Sequence, residues 1–392
     1  MHMRESADLF SLLGGPLHRL GLRLGLVRGQ ANTFPLGLAL GVLPWCILAI
    51  LVLIEGTGKS VFSTIGIAGH VRLLVAIPLL FFSEALVTPR MTAFVRQMIE
   101  SEIVRASELA AFDSELSRIQ RWKDAWLPEW VCLLISIALI IAPRESQGLG
   151  LSIIPAALDM ANAGSNMTLT AYWYWMVCLP LYRFLLLRWL WRLMLWWHFL
   201  WRLSKMNLHL VATHPDHAAG ISFLEMVHAG FAPLILGMTS GLSATFVEAI
   251  SIKAMPIGMI YPFIGVWLGL CIVLFICPLF IFVRQLRDCK VAGWAAYTSM
   301  GTHYVSDFEK KWTGRDRIQS GHEALLGTPD IQSLSDLNNS LSTVMNMRLA
   351  PVSKRLVVKL GMAVFLPLLP IFTINLPVSE LMQILLKISL GV

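Results

Sequence analysis

Charged side chains inside long apolar stretches are the residues of this sequence best placed to do chemistry. Arg183, Arg188 and Arg192 lie in the apolar stretch that begins near Tyr172, and Glu84 lies in an earlier one. A charge at the centre of a bilayer costs about 2.5–3.5 kcal/mol on insertion scales, so such a side chain normally faces protein or water. At about 100° per residue, Arg188 and Arg192 share one helix face, whereas Arg183 lies on another. These four residues are candidates for lining a transport path or pore, and no catalytic residue is predicted.

The same charges also fit a purely structural role. Arg188 and Arg192 can extend their side chains to lipid headgroups, and Glu84 can form an internal ion pair with Arg183 or Arg188. Both interpretations agree with the sequence.

A histidine-rich segment offers a second kind of chemistry, which is metal binding. His214, Asp216 and His217 are followed by Glu225 and His228, and these residue types ligate zinc or iron. Glu225 and His228 would lie on one helix face, as in di-iron bundles, but such bundles need two pairs of this kind and further carboxylates. Zinc or iron is therefore an alternative, and the main expectation is that no cofactor is required.

A structural interpretation of the same segment is the start of a helix. Thr213-x-x-Asp216 matches a capping box, and Pro215 suits a first helical turn. This interpretation predicts that the segment opens the fifth apolar span without binding a metal.

The composition predicts an all-α polytopic membrane protein. Of the 392 residues, 56% are hydrophobic and only 14% are charged, whereas soluble domains carry about 25% charged residues. Fourteen Trp and 28 Gly fit membrane-interface belts and close helix packing. The net charge of +7 is explained by basic residues that fix topology, so a nucleic-acid partner is not expected. The bilayer itself is the expected partner, together with further copies of the chain in a homo-oligomer.

About seven transmembrane helices, joined by amphipathic cytoplasmic helices, are predicted. The predicted segments are an N-terminal interfacial part at 1–33, spans one to six within 34–283, an amphipathic cytoplasmic helix at 89–126, a cytoplasmic helical part at 284–355, span seven at 356–376, and an interfacial periplasmic helix at 377–392.

The distribution of Lys and Arg predicts the orientation of these spans. Basic residues concentrate before the first span and in the second and sixth connections, while the other connections hold few. Because cytoplasmic loops retain Lys and Arg, the N-terminus is expected in the cytoplasm and the C-terminus in the periplasm.

Several short motifs resemble those of a family of multi-pass bacterial inner-membrane proteins with no assigned activity. They are His214-Pro215-Asp216 with Gly220, Leu326-Gly327-Thr328, the sequence DIQSL at 330–334 and the sequence LPLLP at 366–370. The resemblance implies a bacterial inner membrane and supplies no catalytic residues. The leading functional prediction is thus an oligomeric channel or transporter for an ion or small anionic solute. The alternatives are a metal-dependent membrane enzyme and a non-catalytic scaffold or sensor.

Overall fold

Helices account for the regular structure throughout the part of the chain that the computed structural model describes, which is residues 13–27, 32–56, 66–141, 168–251, 255–313 and 329–373. No β-strand occurs among these residues, so the all-α prediction is confirmed. In chain order the helices are α1 Gly15–Arg23, α2 Phe34–Glu55, α3 Ile67–Glu100, α4 Leu109–Asp124, α5 Leu127–Ile141, α6 at 169–203, α7 Leu224–Ser251, α8 Tyr261–Phe275, α9 Val283–Trp312, α10 Pro329–Met345 and α11 Lys354–Thr373.

Five of the described helical segments are long and apolar enough to cross a membrane, namely α2, α3, α7, α8 with its preceding turn, and α11. A membrane protein is therefore supported by length and composition. The helix α5 has 15 residues, fewer than the roughly 20 that a perpendicular crossing needs. The arginines of α6 lower its hydropathy. Seven spans therefore remain a prediction.

The predicted amphipathic helix at 89–126 is wrong in its boundaries. The helix α3 continues through Pro89 to Glu100, and α4 begins separately at Leu109. Between them Glu102 has a φ of 54°, in the left-handed region that a continuous helix cannot contain. Val104 then forms an isolated antiparallel bridge with Leu208, which fixes the turn against the chain that leaves α6.

The structure adds detail to the helical prediction for the C-terminal half of the chain. The segment 284–355, predicted as a cytoplasmic helical part of unspecified helix number, contains one helix of 30 residues, α9, and the shorter α10. The interfacial helix expected at 377–392 lies outside the described residues, as do residues 1–12 of the N-terminal segment.

The helix α6 is the centre of the fold. It is built from Leu169–Trp173, a π-helical turn at Tyr174–Cys178 and Leu179–Leu203. Fifteen of the 25 residues in its last part are buried, which is far more than one face of a surface helix would bury. Trp196 and Phe199 pack edge-on against Phe94 of α3. Charges on α6 are thus enclosed by neighbouring helices.

Candidate functional site: a buried ionic cluster

Four charged side chains from three helices meet inside the bundle and form what we call the ionic cluster: Glu84 of α3, Glu129 of α5, and Arg188 and Arg192 of α6. Arg188 donates through Nη1 to Glu84 Oε1 at 2.8 Å and through Nε to Glu129 Oε1 at 2.8 Å. Arg192 donates to the same Glu84 oxygen. All four residues are only 2–9% exposed.

Local structure explains why these residues meet. Arg188 and Arg192 are four residues apart, so they lie one turn above the other on the same face of α6. Ser136 of α5 donates to the carbonyl of Pro180 at 2.5 Å and so holds α5 against this region of α6. Glu129 is in the first turn of α5, where a carboxylate is also stabilised by the helix dipole. Two cations thus face two anions, and the cluster is neutral.

Burying the ionic cluster costs free energy, and close ion pairs with well-oriented hydrogen bonds offset that cost. Moving an ion out of water costs several kcal/mol even after relaxation, and only close pairing with well-satisfied hydrogen bonds offsets this. The planar guanidinium of Arg188 meets this requirement, because it uses Nε and Nη1 for two different carboxylates and Nη2 for the carbonyl of Gly14 at 3.2 Å.

A small cavity borders the ionic cluster. Its volume is about 10 Å³, which is room for about one water molecule. Glu84, Arg192 and Trp189 line it together with apolar side chains. Glu84 Oε2, Arg192 Nη2 and Trp189 Nε1 are buried and have no hydrogen-bond partner among the described residues. One acceptor and two donors are therefore unsatisfied at one cavity.

The structure separates the predicted charges into two groups. Arg188, Arg192 and Glu84 are brought together, and Arg188 is the partner that Glu84 takes of the two considered from the sequence. Arg183 is buried at 3% exposure and donates to the carbonyl of Leu139 at 3.2 Å, outside the ionic cluster. Glu129 was missed, although an acid at the start of an apolar helix was a signal that could have found it.

A second buried polar group, also missed from the sequence, surrounds Arg72. Its Nη1 donates to the Tyr174 hydroxyl at 2.6 Å and its Nη2 to Thr245 Oγ1 at 2.8 Å. Its guanidinium carbon lies 5.9 Å from the centre of the Tyr182 ring, within cation–π range. Arg72 begins the π-helical turn Arg72–Ala76 of α3, and Tyr174 begins that of α6. Such turns are frequent at functional sites. The position of an arginine directly before the apolar residues 73–82 was the available signal.

The candidate metal ligands are not brought together. Among the described residues, no group of three or more His, Cys, Asp or Glu side chains is arranged to hold a metal ion. His228 uses both ring nitrogens, since Nδ1 contacts the Phe275 carbonyl at 2.7 Å and Nε2 accepts from Trp196 Nε1 at 3.3 Å. Glu225 accepts from Ser353 and, at 3.4 Å, from Arg348. Neither side chain is free to ligate a metal.

The expectation that the His-Pro-Asp segment starts a helix is also wrong. The helix α7 begins only at Leu224. His217, Ala219 and Gly220 have φ values of 53°, 54° and 95°, which no α-helix contains.

Asp216 instead organises a tight loop. Its carboxylate accepts from the backbone N–H groups of Ala218, Gly220 and Ser222 at 2.8–3.1 Å, and His214 Nδ1 lies 2.9 Å from it. Burial raises the pKa of Asp216, but the N–H groups outweigh burial and hold its pKa below the ordinary value. His214 and Asp216 therefore serve the loop.

Comparison with known proteins does not assign this chain to a family. No family model, curated protein or solved structure matches the chain. The resemblance to bacterial inner-membrane proteins stays a prediction from short motifs, and the ionic cluster has to be interpreted from its own chemistry.

Proposed function

We propose that this chain is a multi-pass membrane protein that moves a small ion across the bilayer through the site at Glu84. The observation that carries the proposal is the Glu84 cavity. A buried carboxylate with one unsatisfied oxygen lies beside a space of about 10 Å³. An ionisable residue at membrane depth is a candidate for ion or proton passage.

The size of the cavity narrows the kind of solute. A space for about one water molecule suits a proton carried by water or a water-sized ion, and it is too small for an organic anion in this state. We therefore favour an ion over the small anionic solute that the sequence also allowed.

The arginines have a different role in this proposal from the one predicted. Arg188 and Arg192 are paired with carboxylates, so they are counter-ions of Glu84 that hold it charged in an apolar surrounding. They do not form a wall of free positive charge. Arg183, which lies elsewhere, has no part in the ionic cluster.

Flux measurement in liposomes tests the proposal. The purified chain is reconstituted, and proton or chloride flux driven by a potassium gradient with valinomycin is followed by dyes. The Glu84→Gln variant should lower proton flux by about tenfold or more, equivalent to a barrier increase of roughly 1.4 kcal/mol. Glu115→Gln is the matched control, because Glu115 is buried and paired with Arg202 but lies outside the cavity.

A charge-neutral double variant separates ion passage from architecture. Glu84→Gln with Arg192→Gln removes one charge of each sign and leaves the Arg188–Glu129 pair intact. If the double variant folds and has no flux, Glu84 acts in passage. If its flux equals that of the unchanged protein, Glu84 is architectural and the proposal fails. A folded protein with no flux for any ion favours the scaffold or sensor instead.

We also propose a homo-oligomer, and α9 supplies the supporting observation. Val291, Thr298 and Val305 recur at intervals of seven on an exposed face, which is a pattern of helix pairing. Arg284 and Glu309 lie near opposite ends of that face, so an antiparallel second copy would pair them. Replacing Val291 and Val305 with Asp should lower the mass in light scattering to that of a monomer. Met300→Asp, on another face, should not, and an unchanged mass in the first variant would contradict this interface.

For location we propose the inner membrane of a bacterium, with the N-terminus in the cytoplasm and the C-terminus in the periplasm. The alternation of Lys and Arg along the sequence supports this orientation. Reporter fusions at the two termini test this orientation, and reporter activities that place both termini on the same side of the membrane would overturn it.

A further inference from the structure

The helix α1 lies directly over the ionic cluster. Glu129 Oε2 accepts from the backbone N–H of Leu17 at 2.9 Å, in the first turn of α1, and Arg188 Nη2 donates to the carbonyl of Gly14. Arg19 donates to the carbonyl of Asp124 at 2.8 Å. Glu129 and Arg188 of the ionic cluster therefore hold the start of α1 by hydrogen bonds to its backbone.

The close approach depends on Gly15. Its φ is +86°, and a Cβ at this position would collide with the Glu129 carboxylate. Glycine is the residue that adopts this backbone conformation without strain. Leu13, which immediately precedes this pair of glycines, is 6% exposed and lines the cavity beside Glu84. The segment therefore places its backbone on Glu129 and an apolar side chain at the cavity.

We propose that residues 13–23 form a lid that closes the Glu84 cavity from one side, with Leu13 as the closing side chain and Glu129 as its anchor. The proposal rests on the function proposed above. In that function the described state is closed, and ion passage requires the lid to leave the ionic cluster.

His18 shows that the lid is electrostatically coupled to the ionic cluster. It is half-buried on α1, and its Nδ1 has no hydrogen-bond partner among the described residues. The charged groups that act on it or hold its helix are Glu84 of α3, Lys123 of α4, Glu129 of α5, and Arg188 and Arg192 of α6. Burial is the largest influence on His18 and lowers its pKa. Glu84 acts to raise the pKa, Arg192, Arg188 and Lys123 act to lower it, and the pKa lies below its ordinary value. A charged His18 therefore opposes docking of the lid.

Cysteine accessibility in the full chain tests the lid. In a background where the exposed Cys277 is replaced by Ser, Thr88→Cys reports on the cavity and Ala93→Cys reports on the exposed surface of α3. A small water-soluble methanethiosulfonate is the probe. With the lid closed, Thr88→Cys should react at least about tenfold more slowly than Ala93→Cys, as expected for a site reached only by local opening.

Opening the lid should abolish that difference. Gly15→Val drives a side chain into Glu129, so the Thr88→Cys rate should rise about tenfold. Gly25→Val is the matched control, because Gly25 also has a positive φ of +69° but meets nothing within 4 Å. The control should leave the rate unchanged. Equal labelling in Gly15→Val and Gly25→Val would overturn the lid.

Flux measured on the same vesicles separates this inference from the proposed function. Faster labelling together with higher flux in Gly15→Val supports the lid as the closing element. Faster labelling with unchanged flux, in a preparation whose flux depends on Glu84, overturns its role in passage while ion movement stands. Absence of flux in every variant overturns the proposed function, and docking of the lid is then decided by labelling alone.

Discussion

Replacement of Glu84 by glutamine should destabilise the protein more than any other single loss of a carboxylate among the described residues. Glu84 Oε1 accepts from both Arg188, at 2.8 Å, and Arg192, so the variant leaves two buried cations opposite Glu129 alone. Removing one partner of a buried pair costs about 3–5 kcal/mol, because the other charge stays buried and uncompensated. The lower part of that range is expected, since the amide oxygen still accepts a hydrogen bond.

The expected loss of stability in Glu84→Gln can be compared with that in Glu115→Gln, because the arginines paired with Glu115 are more exposed to solvent. Glu115 is as buried as Glu84, but its two partners, Arg118 and Arg202, are 41% and 39% exposed at the side chain. The freed arginines can turn toward water, so Glu115→Gln should cost about 1 kcal/mol. The double variant Glu84→Gln with Arg192→Gln should recover most of the loss, since neighbouring charges are coupled and not additive.

Thermal unfolding in detergent, followed by tryptophan fluorescence and size-exclusion chromatography, measures these effects. At about 2.1 cal/mol/K of unfolding entropy per residue, a loss of 3–5 kcal/mol in a chain of 392 residues corresponds to a decrease in Tm of roughly 4–6 °C. Two results would contradict an uncompensated buried charge in Glu84→Gln. One is a loss of stability no larger than that of Glu115→Gln, and the other is a double variant whose loss equals the sum of the losses in its two single variants.

Three further predictions concern other parts of the fold. Asp216→Ala should cost about 1–3 kcal/mol at pH 7, because three backbone N–H groups lose their acceptor. Since the folded-state pKa of Asp216 lies below its ordinary value of 3.8, urea titrations should show this cost above that pH and lose it as the pH falls through the folded pKa. His228→Leu should cost about 2–4 kcal/mol in the same titration, because it leaves a buried N–H and a buried carbonyl unpaired, and a neutral result would contradict the hydrogen-bonded assignment. With the pKa of His18 lowered below 6.5, the labelling rate of Thr88→Cys relative to that of Ala93→Cys should increase as the pH falls below that value, because the ratio cancels the loss of thiolate common to both thiols. His18→Gln should remove the pH dependence of this ratio.

Helical periodicity and depth in the apolar spans were sufficient to predict three of the four residues of the ionic cluster. The spacing of Arg188 and Arg192 places them on one face, and Glu84 is the acid at matching depth in the second apolar span. The acid Glu129 at the start of an apolar helix was a signal that was missed, whereas its pairing with Arg188 and the position of the lid depend on tertiary packing. No sequence pattern indicates that the backbone of Gly14 and Leu17 would meet these side chains.

The prediction that the His-Pro-Asp segment starts a helix was wrong for a different physical reason. Its capping pattern is local, and a carboxylate can satisfy the N–H groups of a tight loop as well as those of a helix. His217 and Ala219 adopt left-handed backbone conformations, which a helix cannot contain, so the segment is a loop. Neither residue type, on its own, predicts that conformation from the sequence. The sequence also could not indicate that His228 and Glu225 have hydrogen-bond partners on α6, on α8 and in the segment before α11, because those partners lie far away in the sequence.

The two buried charge groups differ in how firmly their surroundings are fixed, and this difference bears on ion passage. The ionic cluster lies next to the aromatic packing of Trp196 and Phe94, where side-chain interlocking resists movement. Arg72 and Tyr174 instead join two π-helical turns, and such turns carry an extra residue that can be redistributed along a helix. Twelve residues of α3 separate Arg72 from Glu84, which is about 18 Å along the axis. Opening at one level therefore need not disturb the other. Because that packing resists movement, access to Glu84 is best controlled by a separate element. The lid at 13–23 is such an element, since two hydrogen bonds hold its glycine end to the ionic cluster and Leu13 is its side chain at the cavity.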